Sequence, residues 1–260
     1  MTIFYFTGTG NSLAVAKKIL DEDAKLVSIP QIIDSGTTHY KDDVIGVIFP
    51  VYFYTIPKMV KRFLEKTKLE AEYLFAVGTQ GGMSGACLVK VQKAAKIGGN
   101  KLDYGACISI MSNFLPRFCT STEVAKMPKK KFDENLQRIM SDIVGRKKKK
   151  IGSGVIKRCI TFFASRTYKK ANFKAKQKYI VNDNCNKCEI CARVCPAKNI
   201  EVSGTIEFLE NCEYCFACVH LCPQNALHHK KQKSSKRWIN PNVSISEIVK
   251  SNNRLTVQRD

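Results

Sequence analysis

Eight of the twelve cysteines in this 260-residue chain form two copies of one pattern. In each copy three cysteines are separated by two residues each, and a fourth follows after three more residues and precedes a proline. The copies are Cys185-x2-Cys188-x2-Cys191-x3-Cys195-Pro196 and Cys212-x2-Cys215-x2-Cys218-x3-Cys222-Pro223. A [4Fe–4S] cluster needs four thiolates around one small volume, and three from a tight loop plus one from a distant segment meet that need. The spacing therefore predicts two iron–sulfur clusters.

Zinc is the main alternative to this interpretation, and a disulfide framework is a further one. Structural zinc sites usually pair two Cys-x2-Cys units across a spacer, and they need neither a third cysteine two residues on nor a Cys-Pro ending. The pattern therefore favours iron. The other four cysteines, Cys87, Cys107, Cys119 and Cys159, follow no such spacing. Because a free cysteine packs as a small apolar residue, we expect Cys87 and Cys107, which lie in apolar stretches, to be buried.

The two runs resemble those of bacterial two-cluster ferredoxins. In these proteins the fourth cysteine of each run ligates the cluster of the other run. The resemblance implies two sets of ligands, which are Cys185, Cys188, Cys191 and Cys222 for the first cluster and Cys212, Cys215, Cys218 and Cys195 for the second. It also implies that residues 179–229 form a small α+β two-cluster domain.

A second feature with chemical potential lies near the N-terminus, between a strand-like run and a helical pattern. The loop there is Thr7-Gly8-Thr9-Gly10-Asn11-Ser12. Backbone N–H groups at a helix N-terminus, with glycines that allow close approach, form an anion site. The polar side chains that can complete the shell of a phosphate monoester are those of Thr7, Thr9, Asn11 and Ser12. No lysine follows the glycines, so the loop is not a Walker A motif, and Leu13 at the third glycine position argues against a dinucleotide fingerprint.

Strands and helices that alternate along the N-terminal half must position this loop. The strand-like runs are Thr2–Phe6, Lys25–Ile29, Val44–Phe49, Tyr73–Val77 and Leu102–Ile110. The helical patterns are Ser12–Leu20, Pro57–Lys66, Gly85–Ile97 and Phe132–Val144. This alternation predicts an α/β fold with a doubly wound, parallel, five-stranded sheet. In such a sheet the ligand lies beyond the carboxyl ends of the strands, at the switch point between the first and third.

The loop Thr7–Ser12 resembles the FMN phosphate loop of flavodoxins, and two later loops match the same fold. Where flavodoxins flank the isoalloxazine ring, this chain has Pro50, Val51, Tyr52, Phe53 and Tyr54, and where backbone groups meet the ring's polar edge, it has Thr79, Gln80, Gly81 and Gly82. A flat apolar ring needs apolar cover, and its polar edge needs backbone partners that glycine lets approach. We expect Tyr52, or in second place Tyr54, to stack on the ring, with simple loop packing as the alternative. Asn113, which follows the fifth strand, is a further candidate contact.

Along its whole length the chain resembles the flavodoxin–ferredoxin fusion proteins of anaerobic bacteria. The resemblance implies a flavodoxin-like FMN-binding domain at 1–145, a basic linker with an amphipathic helix at 146–178, a 2[4Fe-4S] ferredoxin domain at 179–229 and a basic C-terminal tail at 230–260. It implies an electron-transfer protein that relays electrons between FMN, the two [4Fe–4S] clusters and an external redox partner. The alternative is an FMN-dependent reductase of a small organic substrate, fed by its own ferredoxin domain.

The net charge of +21 is concentrated outside the two predicted redox modules. Residues 126–178 carry 18 Lys or Arg against 3 Asp or Glu, whereas residues 179–229 carry 3 against 6. Clustered cations steer acidic partners, so we expect an acidic redox protein as partner, with a solvated linker that neutralises the cluster segment as the alternative. Nothing in the sequence resembles a nucleic-acid-binding fold and no dinucleotide site is evident. We therefore expect neither nucleic-acid binding nor direct oxidation of NAD(P)H.

Residues 155–170 place Val155, Cys159, Phe162 and Phe163 at roughly helical spacing among basic residues. One interpretation is a membrane-surface helix, but we favour an interdomain helix whose apolar face packs on one module, because the stripe is short. No apolar run approaches the ~20 residues that span a bilayer, and the N-terminus lacks the charged region and cleavage site of a signal peptide. We therefore expect a cytoplasmic protein, since a reducing compartment suits free thiols.

Overall fold

The apolar runs of the N-terminal half form strands that are buried on both faces. Val44–Pro50 and Tyr73–Gln80 are almost continuously apolar, which is typical of central strands in a parallel sheet covered by helices. The computed structural model describes residues 1–20, 23–173 and 176–252. Residues 174–175 of the predicted linker and 253–260 of the predicted tail lie outside the described residues.

The strands and helices of these ranges alternate through most of the chain. The strands are β1 (Thr2–Tyr5), β2 (Lys25–Ser28), β3 (His39–Lys41), β4 (Val44–Pro50), β5 (Lys68–Glu70), β6 (Tyr73–Gln80), β7 (Tyr104–Ser109), β8 (Tyr179–Val181), β9 (Ile200–Ser203), β10 (Thr205–Phe208) and β11 (Leu227–His229). The α-helices are α1 (Asn11–Ile19), α2 (Ile29–Ser35), α3 (Lys58–Lys66), α4 (Cys87–Ile97), α5 (Thr120–Ala125), α6 (Phe132–Val144), α7 (Val155–Phe173), α8 (Ile190–Arg193), α9 (Ala217–His220) and α10 (Ile245–Asn252). Short 3-10 helices cover Pro128–Lys130 and Lys176–Lys178.

Five parallel strands form the central sheet in the order β2-β1-β4-β6-β7. Numbered along the chain within the sheet, this is the order 2-1-3-4-5 of flavodoxin-like folds, and it confirms the predicted doubly wound sheet. Tyr5 of β1 lies opposite Ser28 on one side and Ile48 on the other. The winding reverses between β1 and β4, so the ligand crevice of this sheet lies beyond the carboxyl ends of these two strands.

Some elements differ from what the sequence predicted. Ile29 begins helix α2 instead of ending a strand, because Pro30 fits the first turn of a helix. Gly36 ends that helix with a φ of 72°, the left-handed conformation that glycine adopts freely. The strand predicted over Leu102–Ile110 is confined to β7, and α5 was not predicted.

The cysteines outside the two runs lie in different environments. Cys87 is buried, as expected, whereas Cys107 is half-buried, and their sulfur atoms are 3.6 Å apart. Cys119 is half-buried and Cys159 is exposed. The first two therefore belong to the packing between α4 and β7.

The two cysteine runs repeat one backbone conformation, with the second displaced by 27 positions from the first. Helices α8 and α9 begin at equivalent positions, and left-handed residues recur in register. The matched pairs are Lys187 and Tyr214 (φ 58° and 56°), Glu189 and Phe216 (61° and 62°), and Lys198 and Asn225 (48° and 47°). β8 precedes the first run and pairs with β11 after the second, whereas β9 and β10 pair between the runs. The halves of this segment are thus interlocked.

Helix α7 packs on the rest of the chain through polar groups. Thr161 is fully buried, and its hydroxyl accepts a hydrogen bond from the Ala86 N–H at 2.8 Å. The Tyr168 hydroxyl donates to the Glu213 carbonyl at 2.9 Å. The expectation that the apolar face of this helix packs on one module is wrong, because its four members are all exposed: Val155, Cys159, Phe162 and Phe163. No helix in the described ranges is long and apolar enough to cross a membrane.

The C-terminal segment docks on the sheet domain and on the first cysteine run. Ser244 and Glu247 form a reciprocal capping box at the start of α10. The Asn240 N–H donates to the Thr9 carbonyl at 2.9 Å. At the far end of α10 the Asn252 side chain donates to the Val194 carbonyl at 2.8 Å. The tail therefore links the loop after β1 with helix α8.

Candidate functional site

A cavity of about 90 Å³ opens at the carboxyl edge of the sheet, where the predicted loops meet. The predicted residues that line it are Thr7, Gly8, Thr9, Asn11, Ser12, Pro50, Val51, Tyr52, Phe53, Thr79, Gln80, Gly81 and Asn113. Further lining residues, which were not predicted, are Ile110, Met111, Ser112, Phe114, Tyr214 and Phe216.

Gly10 makes the turn from β1 into α1. It caps the helix with a φ of 93°, a left-handed conformation that favours glycine, and its N–H donates to the Thr7 hydroxyl at 3.1 Å. A Cβ at this position would lie 3.0 Å from the Cβ of Val243 in the tail. The Cα of Gly10 therefore faces the tail, and Gly10 is not among the residues that line the cavity.

The polar side chains of the loop after β1 are buried and hydrogen-bonded. The Asn113 amide donates to the Thr9 hydroxyl at 2.9 Å, and the Ser12 hydroxyl lies 2.9 Å from that of Thr79. The first turn of α1, which spans residues 11–14, contains no acidic residue. Its unpaired N–H groups carry the positive end of the helix dipole, so this end is suited to an anion.

Two buried polar atoms beside the cavity have no hydrogen-bond partner among the described residues, Tyr52 Oη and Gln80 Oε1. Both residues line the cavity. Burial raises the pKa of Tyr52 well above its usual value, and the nearby Cys215 raises it further, so the phenol keeps its proton and is a donor. The cavity thus offers one donor and one acceptor, which fits a bound ring with a polar edge.

Tyr52 is positioned by a tight turn after β4. Tyr52 and Thr55 exchange two backbone hydrogen bonds, of 3.1 Å and 2.9 Å, across Phe53 and Tyr54. Both central residues have positive φ, 47° and 61°, a conformation that costs about 1–3 kcal/mol each for residues other than glycine. The Phe53 ring stacks on that of Tyr168, with centroids 5.4 Å apart. Tyr54 is not among the residues that line the cavity.

Gly81 allows the loops after β6 and β7 to meet. A Cβ at Gly81 would lie 2.5 Å from the Cβ of Ser112, so no larger residue fits without a shift. Lys130, which was not predicted, donates to the carbonyls of Gly81 at 2.7 Å and Ile110 at 2.5 Å, and burial lowers its pKa. Its ammonium group thus joins the two loops. Gly82 has open space around it and is not among the residues that line the cavity.

One wall of the cavity comes from the second cysteine run. Tyr214 and Phe216, on either side of Cys215, line the cavity with Phe114. The Tyr214 and Phe216 centroids are 4.9 Å apart, and Phe216 is 5.6 Å from Phe114. A Cβ at Gly8 would lie 3.0 Å from the carbonyl oxygen of Cys215 and 3.2 Å from its Cβ. The loop after β1 and the second cysteine run are therefore in direct contact.

The first predicted ligand set surrounds a cavity of its own. Cys185, Cys188, Cys191 and Cys222 all line one small cavity. Burial and, after it, the neighbouring thiols of this set, Cys222 first among them, raise the pKa of Cys191 to about 11. The fourth cysteine of the second run thus lies with the first three cysteines of the first run. Cys188 is exposed to solvent.

The second predicted ligand set is more deeply buried. Burial and, to a smaller extent, the thiol of Cys212 raise the pKa of Cys195 to about 11. Burial also raises the pKa of Cys218 well above its usual value, and the thiols of Cys215, Cys195 and Cys212 add to the shift. The Tyr214 N–H points at the Cys212 sulfur at 3.2 Å. Amide donors of this kind help to set the potential of a cluster when one is bound.

The arrangement of these thiols fits a polynuclear cluster. Each iron of a cubane takes one thiolate, so the four ligands stand around the cluster and do not meet at one point. A cavity lined by four thiols has that form. Among residues 1–20, 23–173 and 176–252, no group of three or more His, Cys, Asp or Glu side chains is placed to hold a single metal ion. Thiols with raised pKa values need a nearby cation to ionise, which a bound metal ion would supply.

No protein-family description and no curated protein matches this chain. Among solved structures it is similar to a flavoprotein in complex with FMN from Lactobacillus acidophilus NCFM, with 17% identity over 49% of this chain and 97% of that chain and a TM-score of 0.31. It is also similar to the two-electron reduced flavodoxin of Megasphaera elsdenii, with 20% identity, 48% and 95% coverage and a TM-score of 0.33. Scores of this size carry no functional argument. The strand order of the chain itself carries the fold assignment.

Proposed function

We propose that this protein is an electron carrier that binds FMN and two [4Fe–4S] clusters and relays electrons between them and an external redox partner. In this proposal residues 1–145 are an FMN-binding module, 146–178 a basic linker, 179–229 a ferredoxin module and 230–260 a tail. When bound, FMN accepts two electrons and releases them singly, and each cluster exchanges one electron at a time.

The single observation that supports the proposal most is the contact between the two modules. Cys215 packs against Gly8 in the loop after β1, and its neighbours Tyr214 and Phe216 form a wall of the cavity. Two sites tethered in one chain already have a high effective concentration. Direct packing also fixes the distance between the two sites. A flexible tether alone would leave that distance variable.

In this proposal the chain's own residues hold each group. The N–H groups of Thr7–Ser12 bind the phosphate of FMN, and Tyr52 and Gln80 hydrogen-bond the ring's polar edge. Phe53 and Phe216 give the ring apolar cover. The clusters are ligated by the two sets of four cysteines already described, with the fourth cysteine exchanged between the runs.

The first cysteine run is the proposed docking surface for the redox partner. Cys188 and its neighbours Lys187 and Glu189 are exposed, whereas the equivalent Cys215 is buried in the second run. A partner can therefore approach one ligand set from solvent. The acidic character of that partner is proposed from the basic linker at 146–178.

Anaerobic reconstitution of the full chain tests the proposal directly. We expect one FMN per chain and about eight iron atoms, the content of two clusters. A redox titration followed by visible and EPR spectra then counts the centres and orders their potentials. A chain that binds neither flavin nor iron after reconstitution would rule the proposal out.

The reductase alternative makes a different prediction in the same experiment. A reductase needs an open flavin face for its substrate, whereas aromatic side chains of Phe53, Phe114 and Phe216 line this cavity. We therefore expect the reduced protein to pass electrons to a protein acceptor much faster than to small organic oxidants. Faster oxidation by a small substrate would favour the reductase.

A further inference from the structure

The outward face of α7 is apolar along its first two turns. Val155 is 75% exposed, Ile156 is 76% exposed and Phe163 is 65% exposed. Val155, Cys159 and Phe163 follow each other at four-residue intervals, as do Ile156 and Ile160, so all five share one side of the helix. The face they form is called the α7 stripe below.

The opposite side of α7 holds the helix on the protein. Thr161 and Tyr168 are buried, and Ser165 lies between them at the same helical spacing. Thr161 bonds to the Ala86 N–H, and Tyr168 bonds to Glu213. The α7 stripe is therefore presented outward by a fixed helix, and substitutions on it leave these contacts intact.

Cations surround the α7 stripe. Residues 146–170 contain ten Lys or Arg and no Asp or Glu, and the sequence has no acidic residue between Asp142 and Asp183. On the helix itself Lys157, Arg158 and Arg166 are exposed, and the Arg166 guanidinium lies 4.2 Å from the centroid of the Phe162 ring. The surface thus combines exposed apolar side chains with positive charge only.

Further cations extend this surface beyond α7. A groove beside the helix is lined by Lys58, Lys61, Lys90, Lys93, Phe162 and Arg166. Glu65 also lines the groove, and it is paired with Lys61 at 2.7 Å. The positive charge is therefore not neutralised by the neighbouring helices α3 and α4.

We propose that α7 is a peripheral membrane anchor that lies in the headgroup region of an anionic bilayer. Amphipathic helices bind such surfaces by sinking an apolar face at the acyl boundary while flanking Lys and Arg meet anionic headgroups. An acidic protein partner would pair with the cations. Its charge would not explain why the apolar side chains of Val155, Ile156 and Phe163 are exposed. This proposal does not depend on the proposed electron-carrier function, because the α7 stripe and its cations are side chains of the polypeptide and require no bound cofactor.

Vesicle flotation of the full chain tests the anchor. The probes are vesicles of phosphatidylcholine alone and vesicles with added phosphatidylglycerol. We expect flotation only with the anionic vesicles, and weaker binding at high salt because the surface charges are screened. Flavin and iron contents are measured on the same preparations, so that a failure of cofactor binding is distinguished from a failure of membrane binding.

Two matched variants separate the stripe from general charge effects. Phe163→Glu places a negative charge on the α7 stripe, and Val144→Glu makes the same change at a residue of α6 that is 85% exposed. We expect Phe163→Glu to lower vesicle affinity at least tenfold and Val144→Glu to change it much less. Replacing Lys157 and Arg158 with Gln should weaken binding about thirtyfold, at about fivefold for each cation.

Several outcomes would overturn the proposal. These are no flotation with either vesicle, equal losses for Phe163→Glu and Val144→Glu, or flotation that does not respond to anionic lipid. If an acidic redox protein binds the chain, Phe163→Glu abolishes that binding and vesicles do not bind, then the stripe is a protein-docking surface and the membrane assignment is wrong.

Discussion

The two cysteine runs share one backbone but differ in the side chains that project from it. In the first run the left-handed residues around the second cysteine are Lys187 and Glu189, both exposed. In the second run the equivalent residues are Tyr214 and Phe216, both buried against the sheet domain. The cysteine and proline spacing sets the shape of each loop, and two side chains per loop decide where it lies.

This difference gives the two copies of a repeat separate tasks. The second run packs on the loop after β1 and is anchored by Glu213, whose carboxylate accepts the N–H groups of Lys58 and Met59 at the start of α3, each at 3.0 Å. The first run is held by the tail, through Asn252, and by an ion pair between Lys198 and Asp34. One copy thus faces the candidate flavin site and the other faces solvent.

Removing one thiol from each run tests this comparison most severely. Cys215→Ser and Cys188→Ser each remove a ligand of one proposed cluster, so we expect each variant to lose about four of about eight iron atoms. Only Cys215→Ser should also weaken flavin binding, by about tenfold or ~1.4 kcal/mol, because Cys215 packs against Gly8. Iron analysis and flavin titration of anaerobically purified protein measure both effects.

The variant Cys195→Ser sharpens the same comparison. Cys195 belongs to the first run in sequence but lies with the second ligand set, where Cys212 raises its pKa. Its EPR spectrum should therefore match that of Cys215→Ser. A match with Cys188→Ser instead would show that the fourth cysteines are not exchanged.

Replacing equivalent side chains of the two runs with alanine tests how much the burial of the second run contributes to stability. Phe216 is 1% exposed and packs on Phe114 and Tyr214. Phe216→Ala should cost about 3–5 kcal/mol of unfolding free energy, the usual loss for a buried aromatic ring. The equivalent Glu189→Ala should stay within about 0.5 kcal/mol, because Glu189 is exposed. Denaturant unfolding of both variants measures this, and equal losses would contradict the asymmetry.

Part of this difference between the two runs can be read from the sequence, by comparing the runs position by position. An alignment of the two runs places Tyr214 and Phe216 opposite Lys187 and Glu189, which is a signal for a buried surface on one copy. Local spacing predicts the two cysteine runs and the loop after β1, whereas the division of the cysteines into ligand sets follows only from the resemblance to two-cluster ferredoxins. Neither predicts the wall at Phe216, because contacts between distant segments depend on how the modules dock.

The same limit applies to other residues of the site. Gly10 was predicted as part of an anion loop because glycine before a helix is typical of such loops, and its position beside the tail residue Val243 was not predicted. Lys130 was missed because a lysine that bonds to two loop carbonyls looks like any surface cation in the sequence. The doubly wound, parallel sheet of five strands, in contrast, follows from the alternation of strand and helix patterns and was predicted correctly.

The anchor of the second run can be weakened without touching a cysteine. The Glu213 carboxylate accepts the N–H groups of Lys58 and Met59, and it lies 3.0 Å from the Tyr168 hydroxyl, which donates to the Glu213 carbonyl. Glu213→Gln replaces one carboxylate oxygen, an acceptor, with an NH₂ group, which is a donor and faces these donors. We therefore expect the unfolding free energy to fall by about 1–3 kcal/mol. Asn186→Gln, at the equivalent exposed position, should change stability by less than about 0.5 kcal/mol.

The pH dependence of this variant gives an independent test. Burial raises the pKa of Glu213, so the folded state holds its proton to higher pH than the unfolded state does. This contribution to stability is present at low pH and is lost as the pH rises through the folded-state pKa. Glu213→Gln lacks that slope, so the difference in unfolding free energy between the two proteins should be larger at acidic than at neutral pH. A constant difference would contradict the assigned cause.

The smallest expected effect concerns the tail that holds the first run. The hydrogen bond from Lys17 lowers the pKa of Glu247 to about 2, so the carboxylate stabilises the fold above the usual pKa of about 4.3, and this contribution is lost as the pH falls toward 2. The pair is partly exposed, so Glu247→Gln should cost about 1 kcal/mol or less at neutral pH. Because α10 reaches helix α8 through Asn252, amide hydrogen exchange should rise around Val194 and stay unchanged around Tyr214. Equal increases in both runs would show that the tail supports the whole cysteine segment and not the first run alone.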